Sequence, residues 1–469
     1  MGNLVMGTAI SWSGPAIPFL KLSPGEDGFN VTDSEGSWIG SLMPLGALLG
    51  GPLGGLLVGR LGKKGAMLTD AGLFAAAYLL IVVAPALWAV YLGRLLCGVA
   101  TGVSSLVCPV YVAEISTPQI RGLLGSGMQV MVTFGVLLAI AVGALVSWRW
   151  LSIVCLSMVV VWALLLLLVP ETPAHHLACK RYRDARESLE WLRGTIYVDA
   201  EYEEIQRGVE EGQAGSTGFG ELFKSHNLAP LIISLYLMLG QQMSGMNAVI
   251  FYVVDIFDAA GSSIPPNVES IIVALVQVAA TILGALVMDK LGRRMLLNIS
   301  SSIMVISISA LGAYFYIKEN LGDTDLATRL QILPVASLSI FVFAFSVGFG
   351  PIPWLMMSEL FSPEVRGVAS SLATSFNWTL AFLVTKFFSD LVAAISEAGS
   401  FWVFGGITAA TFLFCLLFVP ETKGKSLEGI QAMFRSSQPY FLNIGLWKIC
   451  RRKDNSDREV LVDSETEQY

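Results

Sequence analysis

Twelve apolar runs constrain this chain more than any other feature. They lie near residues 1–20, 36–57, 66–84, 87–113, 122–146, 150–169, 228–254, 267–288, 295–317, 332–357, 367–394 and 400–419. An α-helix needs ~20 apolar residues to cross ~30 Å of hydrocarbon at ~1.5 Å per residue. In a bilayer the backbone must satisfy its own hydrogen bonds, so runs of this length read as spanning helices. Only 14% of the 469 residues are charged, against about 25% in soluble domains. That deficit excludes a soluble enzyme, a disordered chain and a nucleic-acid binder. Of the charged residues, 18 fall between Glu171 and Asn227 and 16 between Pro420 and Tyr469, so these two stretches are aqueous. The net charge of −7 reflects acidic loop and tail segments and says little else. Cys97, Cys108, Cys155, Cys179, Cys415 and Cys450 show no metal or redox spacing, and no disulfide is expected.

The first run starts at Met1 with no basic leader and no small-residue cleavage site, so no signal peptide is expected, and the chain reads as beginning inside its first span. Basic residues set the orientation. With both termini cytoplasmic, eight short-loop residues lie inside: Arg60, Lys63, Lys64, Arg121, Lys290, Arg293, Arg294 and Arg366. Only Lys21, Arg149, Lys318 and Arg329 lie outside. The sequon Asn30-Val31-Thr32 then falls in the first external loop, open to glycosylation. The sequon at Asn377 lies within a span and is expected to stay bare.

The chain repeats itself. Gly59-Arg-Leu-Gly-Lys-Lys64 returns as Asp289-Lys-Leu-Gly-Arg-Arg294. Glu114–Arg121 returns as Glu359–Arg366, and Pro170-Glu-Thr172 as Pro420-Glu-Thr422. The reading is an all-α membrane protein of twelve transmembrane helices in two parallel six-helix pseudo-repeats. Residues 1–170 form the first bundle, 171–226 an intracellular helical linker, 227–419 the second bundle and 420–469 a cytoplasmic tail. Parallel repeats of this kind place a substrate site at their interface and alternate access by rocking.

Motifs in this order resemble those of the major facilitator superfamily, its sugar porter branch in particular. They include Gln241-Gln242-Met-Ser-Gly-Met-Asn247, Gly350-Pro-Ile-Pro-Trp354, Pro170-Glu-Thr-Pro173 and Pro420-Glu-Thr-Lys-Gly424. Animal facilitative hexose transporters and arthropod facilitated trehalose transporters look most similar. The resemblance implies a transporter, not an enzyme, that takes a sugar and no cofactor, metal or nucleic acid. A single chain in the bilayer is expected to suffice.

A sugar is uncharged and rich in hydroxyls, so it suits amide side chains that both donate and accept, with an aromatic face for its C–H side. The seventh span offers Gln241, Gln242 and Asn247. One straight helix does not aim all three at one ligand, and Ser244-Gly245 is where it is expected to unwind. The alternative role for such amides is interhelical glue worth about 1 kcal/mol each. The resemblance adds Gln129, Gln277 (where the family usually has Asn), Asn377 and Trp378. It makes Trp354 a gate beneath the sugar, on a hinge at Gly350, Pro351 and Pro353, since each proline removes a backbone donor. Ser346 and Ala381 replace polar family residues.

Proton-coupled sugar porters carry an Asp in the first span where this chain has Ser13. The first span has no ionisable side chain, so a uniporter is expected; proton symport and a non-transporting sugar sensor are the alternatives. Asp70 reads as an interfacial charge and Arg94 as a buried cation whose partner the sequence does not show. Lys386 and Asp390, one turn apart, read as a local pair. The resemblance implies a set of gating ion pairs at the inner side: Arg60, Glu114, Arg121 and Glu171 in the first half, Asp289, Arg293, Arg294, Glu359, Arg366 and Glu421 in the second. Spaced charges around Arg183, Glu187, Glu190 and Trp191 suggest short amphipathic helices under both halves.

Overall fold

The computed structural model describes residues 1–22, 28–214, 222–261, 264–321, 329–361, 363–423, 430 and 434. The side chains of Arg121 and Asp289, Cys450 and nearly all of the expected tail lie outside the described residues. Among the described residues there are helices and no strands.

The twelve runs become twelve helical spans. Eight helices are long and apolar enough to cross a membrane, and a bent pair, Asn227–Phe251 with Val253–Ala260 at 75°, makes nine. Two of the eight hold two spans each. Asp33–Val82 is 50 residues, about 75 Å if straight, but its backbone leaves helical geometry at Gly62 (φ 79°). Pro363–Phe418 does so at Ser396 (φ 73°). The first span, Gly2–Ser11 and Ser13–Leu20, joins through Trp12, which keeps helical φ/ψ, and completes the twelve. Spans 4, 5 and 6 are Leu87–Ile115, Pro118–Gly143 and Trp148–Leu168. Spans 8 and 9 are Pro266–Leu291 and Arg293–Tyr316, and span 10 runs from Leu333 to Leu360.

Without a hydrophobic drive between helices in lipid, small residues that let backbones approach decide the packing. Spans 2 and 4 meet through Gly46 and Gly50 on one side and Gly98 and Gly102 on the other. A Cβ on any of the four would overlap backbone of the facing helix. Spans 1 and 5 meet the same way through Gly7 and Gly135. Arg94 on span 4 is fully buried. It donates to the backbone carbonyls of Ala9 (2.7 Å) and Ile39 (3.1 Å), and its guanidinium lies 5.3 Å from the centre of the Trp12 ring. The partner missing from the sequence is therefore main chain, and Arg94 ties spans 1, 2 and 4 together.

The linker forms helices Pro173–Ala178, Tyr182–Arg193 and Asp199–Ala214. Arg183 pairs with Glu187 and Arg186 with Glu190 at one-turn spacing. Ser188 donates to the Glu171 carbonyl and Arg193 to that of Ile115. The bond from Arg193 to Ile115 fastens the linker to the first half. The two halves pack through spans 1 and 7, 2 and 11, and 5 and 8.

Candidate functional site

Span 7 is built to break. Its long segment Ser225–Met243 stops where Gly245 adopts φ 88°, a conformation that suits glycine, and the helix resumes at Met246. A Cβ there would come within 2.6 Å of the Phe404 ring. The expected unwinding at Ser244-Gly245 is observed. Past the break Asn247 reaches back to Gln242, while Gln241 and Gln242 both meet Asn377 of span 11.

The amides form one chain of hydrogen bonds. Asn247 Nδ2 donates to Gln242 Oε1, and Gln242 Nε2 donates to Asn377 Oδ1 at 2.8 Å. Asn377 Nδ2 donates to Gln241 Oε1 at 2.9 Å. Gln241 Nε2 then donates to the carbonyls of Phe349 (3.1 Å) and Gly350 (2.7 Å) on span 10. Proline explains the last step. Pro353 has no N–H, so the Phe349 carbonyl four residues earlier loses its helical donor, and Gln241 supplies one. Span 10 is π-helical over Phe345–Phe349, where Gly350 N–H reaches back to the Phe345 carbonyl at 2.7 Å, and the α-helix resumes at Ile352. The expected hinge residues Gly350, Pro351 and Pro353 thus lie at an irregular stretch of backbone.

Gln241, Gln242 and Asn377 are buried, and Asn247 is half-buried. Gln277 is also buried, on span 8, while Gln129 on span 5 is exposed. Among the described residues neither is bonded to the amide chain. Trp378 is half-buried and its indole Nε1 is a buried donor without a partner. Trp354 is half-buried against the core. Ser13 on span 1 is buried with its Oγ unpartnered.

A profile described as "Sugar (and other) transporter" matches residues 16–434. The chain belongs to this family. Similar sugar transporters include proteins named facilitated trehalose transporter Tret1. That of Culex quinquefasciatus is 43% identical over 434 residues, 92% of this chain and 83% of the relative. That of Bombyx mori is 41% identical over 446 residues, 95% and 87% respectively. The chain spans only 53% of the Aedes aegypti protein it matches at 42% identity. Among solved structures, the inward-open xylose transporter XylE from E. coli superposes with TM-score 0.77 at 24% identity, covering 92% of this chain and 97% of that one. The partially occluded inward-open form gives 0.75 at 23% identity, covering 91% and 97%. The fold is the twelve-helix major facilitator fold.

At the linker end of this sugar transporter the repeated charged motifs build one device twice. Gly62 and Gly292 both have positive φ (79° and 92°), so each turn presents the next helix's first N–H groups. Glu171 accepts from the backbone of Lys63 (3.1 Å) and Lys64 (2.9 Å). Glu421 accepts from Arg293 (2.9 Å) and Arg294 (3.1 Å). A carboxylate there caps unsatisfied donors and meets the positive helix end. Beside each cap stands an ion pair, Lys63–Glu114 at 3.0 Å and Arg293–Glu359 at 3.1 Å. Arg366 donates to the Phe361 carbonyl, and Arg60 is exposed. Among the described residues, all these contacts stay inside one half. Among the described residues, Glu171 and Glu421 thus serve as caps and Glu114 and Glu359 as ion-pair partners, each within its own half. His175, packed against Gly62 beside Glu171, is held below the usual imidazole range mainly by burial. Replacing Glu421 with Ala is expected to remove about 2 kcal/mol of local stability. A lower thermal midpoint of the detergent-purified protein is the readout, and an unchanged midpoint would refute the cap.

Two sequence expectations are corrected. Asp70 is not interfacial: it is fully buried and hydrogen-bonded to Ser104 of span 4. Lys386 does not pair with Asp390; its Nζ donates to Ser37 Oγ at 2.8 Å, across the halves. One set of contributors escaped the sequence reading, the carbonyls that receive Gln241. The Pro at position 353 is the signal that points to them.

Proposed function

We propose that this chain moves a neutral sugar, a hexose or trehalose, down its gradient by alternating access, without proton coupling. The observation that carries the reading is the amide chain Asn247–Gln242–Asn377–Gln241, strung across the broken seventh span, span 11 and the loosened backbone of span 10. Each amide offers both a donor and an acceptor. Sugar hydroxyls can replace amide partners one for one, so bonds are exchanged rather than lost. Charged side chains would add a desolvation cost that amides avoid. Trp378, with Gln129 and Gln277, is assigned to the same substrate, and Trp354 to the gate on the hinge at Gly350, Pro351 and Pro353.

The linker end is read as cytoplasmic, which puts both termini inside and the exposed Asn30 outside as the glycosylation site. The plasma membrane is the proposed location and one chain the working unit. Contacts between the halves at the opposite end support an inward-facing state. In that reading, the charged residues at the linker end are gate elements that re-pair when the inner side closes. Absence of any ionisable side chain from span 1 supports uniport. The relatives' name, facilitated trehalose transporter, favours trehalose among the sugars.

The buried Asp70 keeps proton symport as a second reading. Purified protein in liposomes separates the two. Uptake of radiolabelled trehalose and glucose is expected to stop at equilibrium with or without an imposed proton gradient. Accumulation above equilibrium under inward acid, abolished by Asp70→Asn, would establish symport instead.

A further inference from the structure

At the end opposite the linker, two lysines cross between the halves in opposite directions. Lys21, just past span 1, has its Nζ 3.2 Å from Asp33 of span 2 and 3.5 Å from Asp255 of span 7. Asp33 is 83% exposed, so this pair sits in water and is weak. Lys386 of span 11 is different. It is only 9% exposed, and its Nζ donates to Ser37 Oγ at 2.8 Å and lies 4.8 Å from the centre of the Trp38 ring. Phe382, one turn earlier on the same face of span 11, lies 6.4 Å from that ring. An ammonium so far from water needs compensation, and a desolvated cation over an indole face is the stronger form of that contact. The compensation exists only while spans 2 and 11 touch. Separating the halves would return Lys386 to water and take it off the Trp38 ring, which is already 39% exposed on its other side.

We propose that Lys386 and Trp38, supported by Ser37 and Phe382, form a clasp that is made when the transporter closes at this end and broken when it opens. The pair then sets the balance between the two faces of the cycle. This rests on alternating access, not on the identity of the sugar, and the test below needs no substrate.

Spin labels placed at Ser34 and Ala394, both exposed at this end, report the opening distance by pulsed EPR in nanodiscs, in a background with Cys179 and Cys450 replaced by Ser. Lys386→Met and Trp38→Leu are each expected to raise the open-to-closed ratio ~5–30-fold, the span set by ordinary cation–π strengths. The double variant is expected to go no further than the larger single effect, because either change removes the same contact. Lys386→Arg keeps a cation over the ring and is expected to stay near the parent ratio. Should Lys386→Met yield no folded protein, Trp38→Leu and Trp38→Tyr supply the same comparison. Unchanged distance distributions, or effects of the two single changes that multiply in the double variant, would overturn the clasp. Loss of sugar flux in liposomes with these shifts intact would count against the transport reading alone.

Discussion

Gln242→Leu is expected to reduce sugar uptake at least ~30-fold while leaving the spans in place. Gln242 is the middle of the amide chain: it accepts from Asn247 and donates to Asn377. Leucine fills similar space and offers neither group, so Asn377 Oδ1 loses its donor at a site only 1% exposed. An unsatisfied buried polar group costs about 1–3 kcal/mol. At about 1.4 kcal/mol per factor of ten, that disturbance, added to the lost contact with substrate, brings the initial rate down by well over an order of magnitude. Initial rates of labelled trehalose and glucose entry into proteoliposomes measure it, with the amount of folded protein matched by size-exclusion chromatography. Rates within twofold of the parent would mean that these amides hold helices together and do not handle sugar. Gln241→Leu is a different experiment, because it also strips the donor from the Phe349 and Gly350 carbonyls and disturbs span 10.

A second large effect is expected from Gly98→Val. The Cβ of any residue at 98 would overlap the Met43 carbonyl and lie 2.9 Å from the Gly46 Cα. Neither is the end of a flexible side chain, so whole helices must separate. Ordinary overpacking costs about 1–3 kcal/mol, and a backbone-to-backbone clash exceeds that range. Arg94 adds to the penalty, since it lies one turn away and needs spans 1 and 2 in reach of its guanidinium. The monodisperse peak of the solubilised protein is expected to fall more than tenfold. Gly51→Ala is the control: it neighbours Gly50, but a Cβ there meets nothing within 4 Å. Equal yields for the two variants would show that spans 2 and 4 are not packed as described.

Much of the site was legible before any coordinates, for a physical reason. An amide in an apolar run is costly to bury alone, so Gln241, Gln242 and Asn247 stand out individually, whereas Asn377 came only with the family resemblance. Helical geometry then required a break between Gln242 and Asn247, and a glycine stood at the right place. The repeats were legible too, and the paired caps at Glu171 and Glu421 show why both halves keep Gly, two basic residues and a distant Glu. The sequence was silent about the other ends of these contacts. Main-chain carbonyls look alike at every position, so the acceptors of Gln241 and Arg94 left no trace except, for Gln241, the proline at 353.

Lys386 shows the boundary. Read along the helix, its neighbour at one turn was Asp390, and opposite charges invited pairing. In the fold its Nζ meets Ser37, 349 positions away, because spans 2 and 11 are brought side by side. Asp70 failed for the same reason: closeness to Lys64 in sequence suggested an interface, whereas packing of spans 3 and 4 buried it against Ser104. The linear chain by itself determined how many helices cross, where they break and which side chains resist burial, since these depend on length, periodicity and solvation of single residues. Which groups satisfy one another was decided only by the tertiary structure, because partner choice depends on helix juxtaposition that no local pattern encodes.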